Sequence, residues 1–139
     1  MVTAPRIRQV VLDCEQPRDV AEFYRALFPE LAYRPGDEQP PAGEPDPLGQ
    51  DWLVLRGPGF GLAFQAVRTN PRPTWPDAQI PQQLHLDTTV PDVDSLAAAR
   101  ARVRELGGVE LLDRSDDDEE PLVVFADPAG HPFCIFVDK

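Results

Sequence analysis

The sequence predicts an α+β fold: two βαβββ modules in tandem, forming a concave, partly open mixed β-sheet barrel with the helices outside. Three observations predict it. A strand, a proline-led turn and an amphipathic helix over residues 7–31 recur in the same layout over residues 83–107. Each helix is followed by strand-like segments that end in similar pentapeptides, Gly61-Leu62-Ala63-Phe64-Gln65 and Gly130-His131-Pro132-Phe133-Cys134. The extra length of the first half falls in residues 35–50, where Pro40, Pro41 and Pro45 cannot donate to a ladder and so indicate a loop. One domain over residues 1–139 is expected, with modules at 6–68 and 82–139.

The first strand, residues 8–14, alternates Gln9, Val11 and Asp13 on one face with Val10, Leu12 and Cys14 on the other. The more apolar set belongs beneath the helix. That helix starts at Pro17, a favoured first position, and presents Val20, Phe23, Leu27 and Leu31 as a stripe. Strands at 51–56 and 60–67 follow. Trp52 shares a face with Val54, and Trp75, set between Pro73 and Pro76 in the linker 68–82, is placed to cover a cleft or to pack at a dimer contact; both tryptophans read as structural ahead of ligand-stacking.

In the second half, Leu84, Leu86 and Val90 form the helix-facing set, while Gln83, His85, Asp87 and Thr89 face the other way. Asp92 is the expected N-cap of a helix lined by Leu96, Ala99, Val103 and Leu106 and stopped by Gly107-Gly108. A short strand at 109–112 precedes strands at 122–126 and 132–137, the last two joined by the turn sequence Asp127-Pro128-Ala129-Gly130. On the last strand, Phe133, Ile135 and Val137 share one face, and Cys134 and Phe136 the other. His131, just after the turn glycine, is expected to be exposed. The two halves match at a step of 76 residues at their starts (Gln9 to His85, Val10 to Leu86) and 69 at their ends (Gly61 to Gly130, Gln65 to Cys134).

Composition narrows the function. A formal charge of −11 with a single lysine, Lys139, argues against nucleic acid, because phosphate binding needs clustered cations. Such acidity favours a cationic small-molecule ligand where the charge lines a pocket. The run Asp116-Asp117-Asp118-Glu119-Glu120 reads as a solvated hairpin loop, since the spacing and turn glycine of a calcium loop are absent. No apolar stretch is long enough for a membrane helix, and a cytoplasmic location is expected. Cys14 and Cys134 are too few for a disulfide scaffold and are assigned to opposite sheet faces.

Taken in order, Val11-Leu12-Asp13-Cys14 into Ala21-Glu22-Phe23-Tyr24, then Leu84-His85-Leu86-Asp87, then Asp127-Pro128-Ala129-Gly130 leading to Phe133-Cys134, resemble the vicinal oxygen chelate superfamily. That superfamily includes glyoxalase I, bleomycin-resistance proteins and extradiol dioxygenases, and the chain looks most like its glyoxalase-like group. The resemblance implies a ligand cleft between the modules and a homodimer. It also implies four positions able to ligate a divalent metal (zinc, nickel, iron or manganese), which fall here at Gln9, Gln65, His85 and Cys134.

The chemistry of those four is poor for a metal. Both positions where glyoxalase-type sites carry glutamate hold other residues; Gln65 offers only a neutral carbonyl and cannot act as a base near neutral pH. One thiol, one imidazole and two amides suit magnesium or manganese badly. His85, with Asp87 two positions along on the same face, is the best single functional candidate, and the two can equally form a hydrogen-bonded structural pair. Cys134 has no basic neighbour in sequence to stabilise a thiolate, and Phe136 is the expected apolar wall. Two readings follow: a small-molecule binder, antibiotic-sequestering among the options, with an incomplete metal site; or a metal-dependent lyase or isomerase of glyoxalase I type.

Overall fold

A computed structural model describes residues 2–138, which divide into two compact units, one ending at Arg68 and one starting at Thr69. The first holds β1 (Val10–Cys14), α1 (Pro17–Leu27), β2 (Ala32–Tyr33), β3 (Trp52–Gly57) and β4 (Phe60–Ala66). The second holds β5 (Leu86–Val90), α2 (Val93–Glu105), β6 (Val109–Arg114), β7 (Leu122–Ala126) and β8 (Pro132–Val137). Their sheets have the same order, β1-β4-β3-β2 and β5-β8-β7-β6. In each, the first strand runs parallel to the last and the other pairs are antiparallel. Two tandem modules, each a mixed four-stranded sheet with one helix, are therefore present as the repeat predicts. No helix among the described residues is long and apolar enough to cross a membrane.

Side-chain alternation places a core beneath the helix in each unit, and in the first sheet Val54 and Ala63 on the opposite face are buried as well. Leu12 and Cys14 on β1 and Leu62 and Phe64 on β4 are essentially inaccessible, and Tyr24 of α1 stacks on Phe64 at 5.8 Å between ring centroids. Each such ring buried from water contributes about 2 kcal/mol. In the second unit Phe125 and Phe133, partners across β7 and β8, stack at 5.4 Å on the face covered by α2. Pro17 opens α1, and the Asp92 side chain caps α2 by accepting from the Ser95 N–H at 2.7 Å. Gly107, at φ 94°, ends α2 in the left-handed region.

Several expectations are corrected. The α1 stripe does not reach Leu31: the helix stops at Leu27 because Phe28 precedes Pro29 and takes an extended conformation, and Leu31 is buried from the following turn. That turn leads into the two-residue β2, which the sequence did not single out. The ladders also begin later than the strand patterns, so Gln9 and His85 each sit one residue before a strand. His131 is 4% exposed rather than free in solvent, because its carbonyl and N–H both bond back to Asp127 and close the turn.

The match between the last strands changes too. Val10 pairs with Leu62, and Leu86 pairs with Phe133. Once Val10 and Leu86 are equated, the counterpart of Cys134 is Ala63, and the counterpart of Gln65 is Phe136. The glycine words misled because their glycines do different work. Gly61 lies inside β4, where a Cβ would stand 3.3 Å from that of Gln9; Gly130 sits in the turn before β8 at φ 94°.

Within the first unit the loop between β2 and β3 is tied down. Arg18 on α1 makes a two-pronged bond to the Asp46 carboxylate (2.8 and 2.9 Å) and donates to the Asp37 carbonyl at 2.7 Å. The Asp37 carboxylate in turn accepts from the Val54 N–H at 2.9 Å.

Candidate functional site

The open face of the second sheet is apolar where a solvated face would be polar. Register places Asp87, Cys134, Val124 and Leu112 side by side across β5, β8, β7 and β6. The next row on the same face is Thr89, Phe136, Leu122 and Arg114. β7 and β8 thus carry apolar side chains on both faces, and only the Phe125, Phe133 and Val123 side is covered by α2. A pocket of about 290 Å³ stands over the uncovered rows. Its walls add Trp75, Gln82, His85 and Glu120.

The Trp75 wall is held in place from a distance. Arg72 Nη1 donates to the Pro128 carbonyl at 2.8 Å and Asn70 Nδ2 to the Ala129 carbonyl at 3.4 Å, mooring the segment to the β7–β8 turn. Thr74 closes the loop around Trp75 by exchanging backbone and hydroxyl bonds with Ile80 at 2.8 Å. Glu120 is positioned by the β6–β7 hairpin, where Asp117 Oδ1 accepts from the Glu119 and Glu120 N–H groups at 2.9 Å each. The acidic run is solvent-exposed, as the sequence expects, but its last residue reaches the pocket.

Charge in the pocket is uneven. His85 Nε2 lies 3.4 Å from Asp87 Oδ1, and both side chains are about half exposed or more, so the pair is loose. The Cys134 thiol is pushed up to about 11, by burial first and then by the carboxylates of Asp87 and Glu120. At neutral pH it is a protonated, nearly buried group rather than a nucleophile. Arg114 lines the far wall on β6, three strands from Asp87, roughly 14 Å away at ordinary strand spacing.

The expected site residues separate into two groups. His85, Asp87, Cys134 and Phe136 come together on this pocket. Gln9 and Gln65 belong to the first unit. Gln9 lies just before Val10, the partner of Leu62, and is thus beside Gly61; Gln65 is four residues farther along β4, exposed between Asp13 and Trp52. Four residues of strand span about 13 Å, too far for two amides to share one ion. The position matching Cys134 in the first unit is the methyl group of Ala63.

The donors present do not fit a divalent metal. Gln9 and Gln65 diverge along the first sheet, and no set of three or more His, Cys, Asp or Glu side chains is grouped for a metal among the described residues. Sequence reasoning offered Trp75 as a cover for the cleft or a dimer contact, and did not place Leu112, Leu122, Val124, Arg114 or Glu120 in the site. The apolar outward positions of β7 were a readable signal; the Trp75 anchorage was not.

Residues 9–136 match the family described as glyoxalase-like domain. Among curated proteins none matches the sequence. Solved structures share the fold at low identity. The fosfomycin resistance protein FosX from Mesorhizobium loti is 11% identical, with a TM-score of 0.67 over 99% of this chain and 95% of that one. A glyoxalase/bleomycin resistance protein/dioxygenase family enzyme from Burkholderia phytofirmans PsJN is 12% identical, with a TM-score of 0.67 over 93% and 95%. A FosX mutant from Listeria monocytogenes, solved with Mn(II) and 1S,2S-dihydroxypropylphosphonic acid, is 14% identical, with a TM-score of 0.66 over 100% and 95%.

Proposed function

Because the chain belongs to the glyoxalase-like domain family of the vicinal oxygen chelate superfamily, we propose that it binds a small molecule on the open face of its second sheet, by shape, apolar contact and charge, without a metal-dependent step. The observation that carries this reading is the two-row apolar floor of Cys134, Val124, Leu112, Phe136 and Leu122 facing an anchored Trp75. A floor made of strand side chains is rigid, so a ligand meets a surface already formed. Each 100 Å² of apolar area covered supplies roughly 2.5 kcal/mol, set against the cost of association. Sequestration of an antibiotic, one role the superfamily resemblance suggests, needs binding alone.

A lyase or isomerase of glyoxalase I type needs a base at the metal. Asp87 is the nearest carboxylate to Cys134 by register, but it stands at the exposed edge strand, with no grouped metal donors beside it among the described residues. The reading is tested by screening a fragment library against isotope-labelled protein by NMR. Binding fragments should shift Leu122, Val124, Phe136 and the Trp75 indole together. If fragments leave these four unmoved while shifting residues elsewhere, the pocket is not the binding site.

A further inference from the structure

Resting on the binding reading above, we propose that the pocket selects an organic cation: an ammonium group held at the Asp87 end, with the apolar body on the sheet floor and against the Trp75 indole. Four observations converge. Two carboxylates, Asp87 and Glu120, line a pocket whose floor is otherwise apolar. The positive group on the wall, Arg114, lies at the opposite edge strand, so the Asp87 end keeps a negative potential. The Cys134 thiol at the floor is pushed up to about 11, by burial first and then by these two carboxylates. Trp75 and Phe136 supply aromatic faces on the same pocket, and indole is the aromatic side chain that attracts cations most strongly.

Asp87 is available for such a ligand. Its ion-pair neighbour among the described residues, His85, is 3.4 Å away and itself about half exposed. An ammonium placed there gains a solvent-screened ion pair, while a carboxylate or phosphonate placed there meets like charge. Arg114 at the far end lies among Asp117, Glu119 and Glu120, so that end does not offer an anion a site either.

Three probes of one size separate charge from shape: 2-phenylethylammonium, 2-phenylethanol and phenylacetate, titrated while following the two tryptophan indole signals, assigned with Trp75→Leu. The expected result is a shift of the Trp75 signal by the ammonium with affinity about tenfold above the alcohol, and weaker binding still for phenylacetate. In Asp87→Asn the ammonium and alcohol should bind within about threefold of each other. Equal or tighter binding of the alcohol or phenylacetate in the unsubstituted protein overturns cation selection and leaves the binding reading standing. No movement of the Trp75 signal with any probe overturns both. A preference for the ammonium that survives Asp87→Asn and is lost in Glu120→Gln overturns the assignment of the charge to the Asp87 end.

Discussion

Asp87 is the register partner of Cys134 across the parallel β5–β8 ladder, and that adjacency sets what the thiol can do. Burial and two carboxylates hold it protonated to about pH 11, so alkylation by iodoacetamide at neutral pH should be slow, and its rate should climb through the range between 9 and 11. Asp87→Asn removes the second-ranked cause and should lower the midpoint, though burial, the largest cause, keeps it above the ordinary value of 9.0. The linkage has a sign: a thiol held neutral in the fold gives stability below pH 9 that is lost as pH rises through about 11. Site-resolved mass spectrometry checks the rate. A Cys134 that reacts fully at neutral pH overturns the assignment.

Filling the floor should remove binding without unfolding the chain. Val124 lies in the centre of the pocket row and points away from α2, so Val124→Trp adds volume on the open side rather than in the core. The expected loss of affinity for any pocket fragment is about tenfold or more, with an unchanged melting temperature. Loss of the fold with the substitution would place Val124 in the core instead.

Arg18→Met should loosen the β2–β3 loop. The substitution leaves the Asp46 carboxylate with only its Gly49 N–H donor and takes the Arg18 donor from the Asp37 carbonyl, and should cost about 2 kcal/mol. Limited proteolysis should then cut within residues 35–50 faster than in the unsubstituted chain. An unaltered cleavage rate would mean that Asp37, through its bond to Val54, holds the loop by itself.

Much of this architecture is readable in the chain because it depends on local periods. Alternation alone separates Leu12 from Asp13 and Phe133 from Cys134, and the ladders keep that separation. The step from Val10 to Leu86 survives for the same reason: strand, turn and helix follow one another with no room for slippage. What failed depends on distant partners. Gly61 and Gly130 look alike in sequence, yet one admits a neighbouring strand and the other turns the chain. Trp75 reaches the pocket wall through bonds from Arg72 to Pro128, 56 residues away, which leave no pattern near Trp75 itself.

The two helices should differ in protection from hydrogen exchange. α1 buries Val20, Ala21, Phe23 and Tyr24, whereas α2 buries only Leu96 and Val103 and leaves Val93 55% exposed. Less apolar burial means a lower free energy of local opening, so α2 amides should exchange at least about tenfold faster than those of α1. Equal protection would show that the Arg100 bonds to Glu110, Asp113 and Ser115 hold α2 as firmly as burial holds α1.

Metal content provides the sharpest check on the donor argument. In the first unit the residue matching Cys134 is Ala63, which has nothing to donate, and Gln65 lies along β4 from the Gln9 end. In the second, His85 and Asp87 flank a thiol that would have to lose a proton against two neighbouring carboxylates to bind a soft ion. An ion could supply that driving force only if several donors shared it, and no group of three is present among the described residues. Protein purified without chelator should therefore carry no stoichiometric zinc, nickel, iron or manganese, and titrated Mn(II) should bind more weakly than about 10 μM. Metal at one equivalent per chain, lost in His85→Ala, would reverse this reading and return a metal-dependent lyase or isomerase to first place.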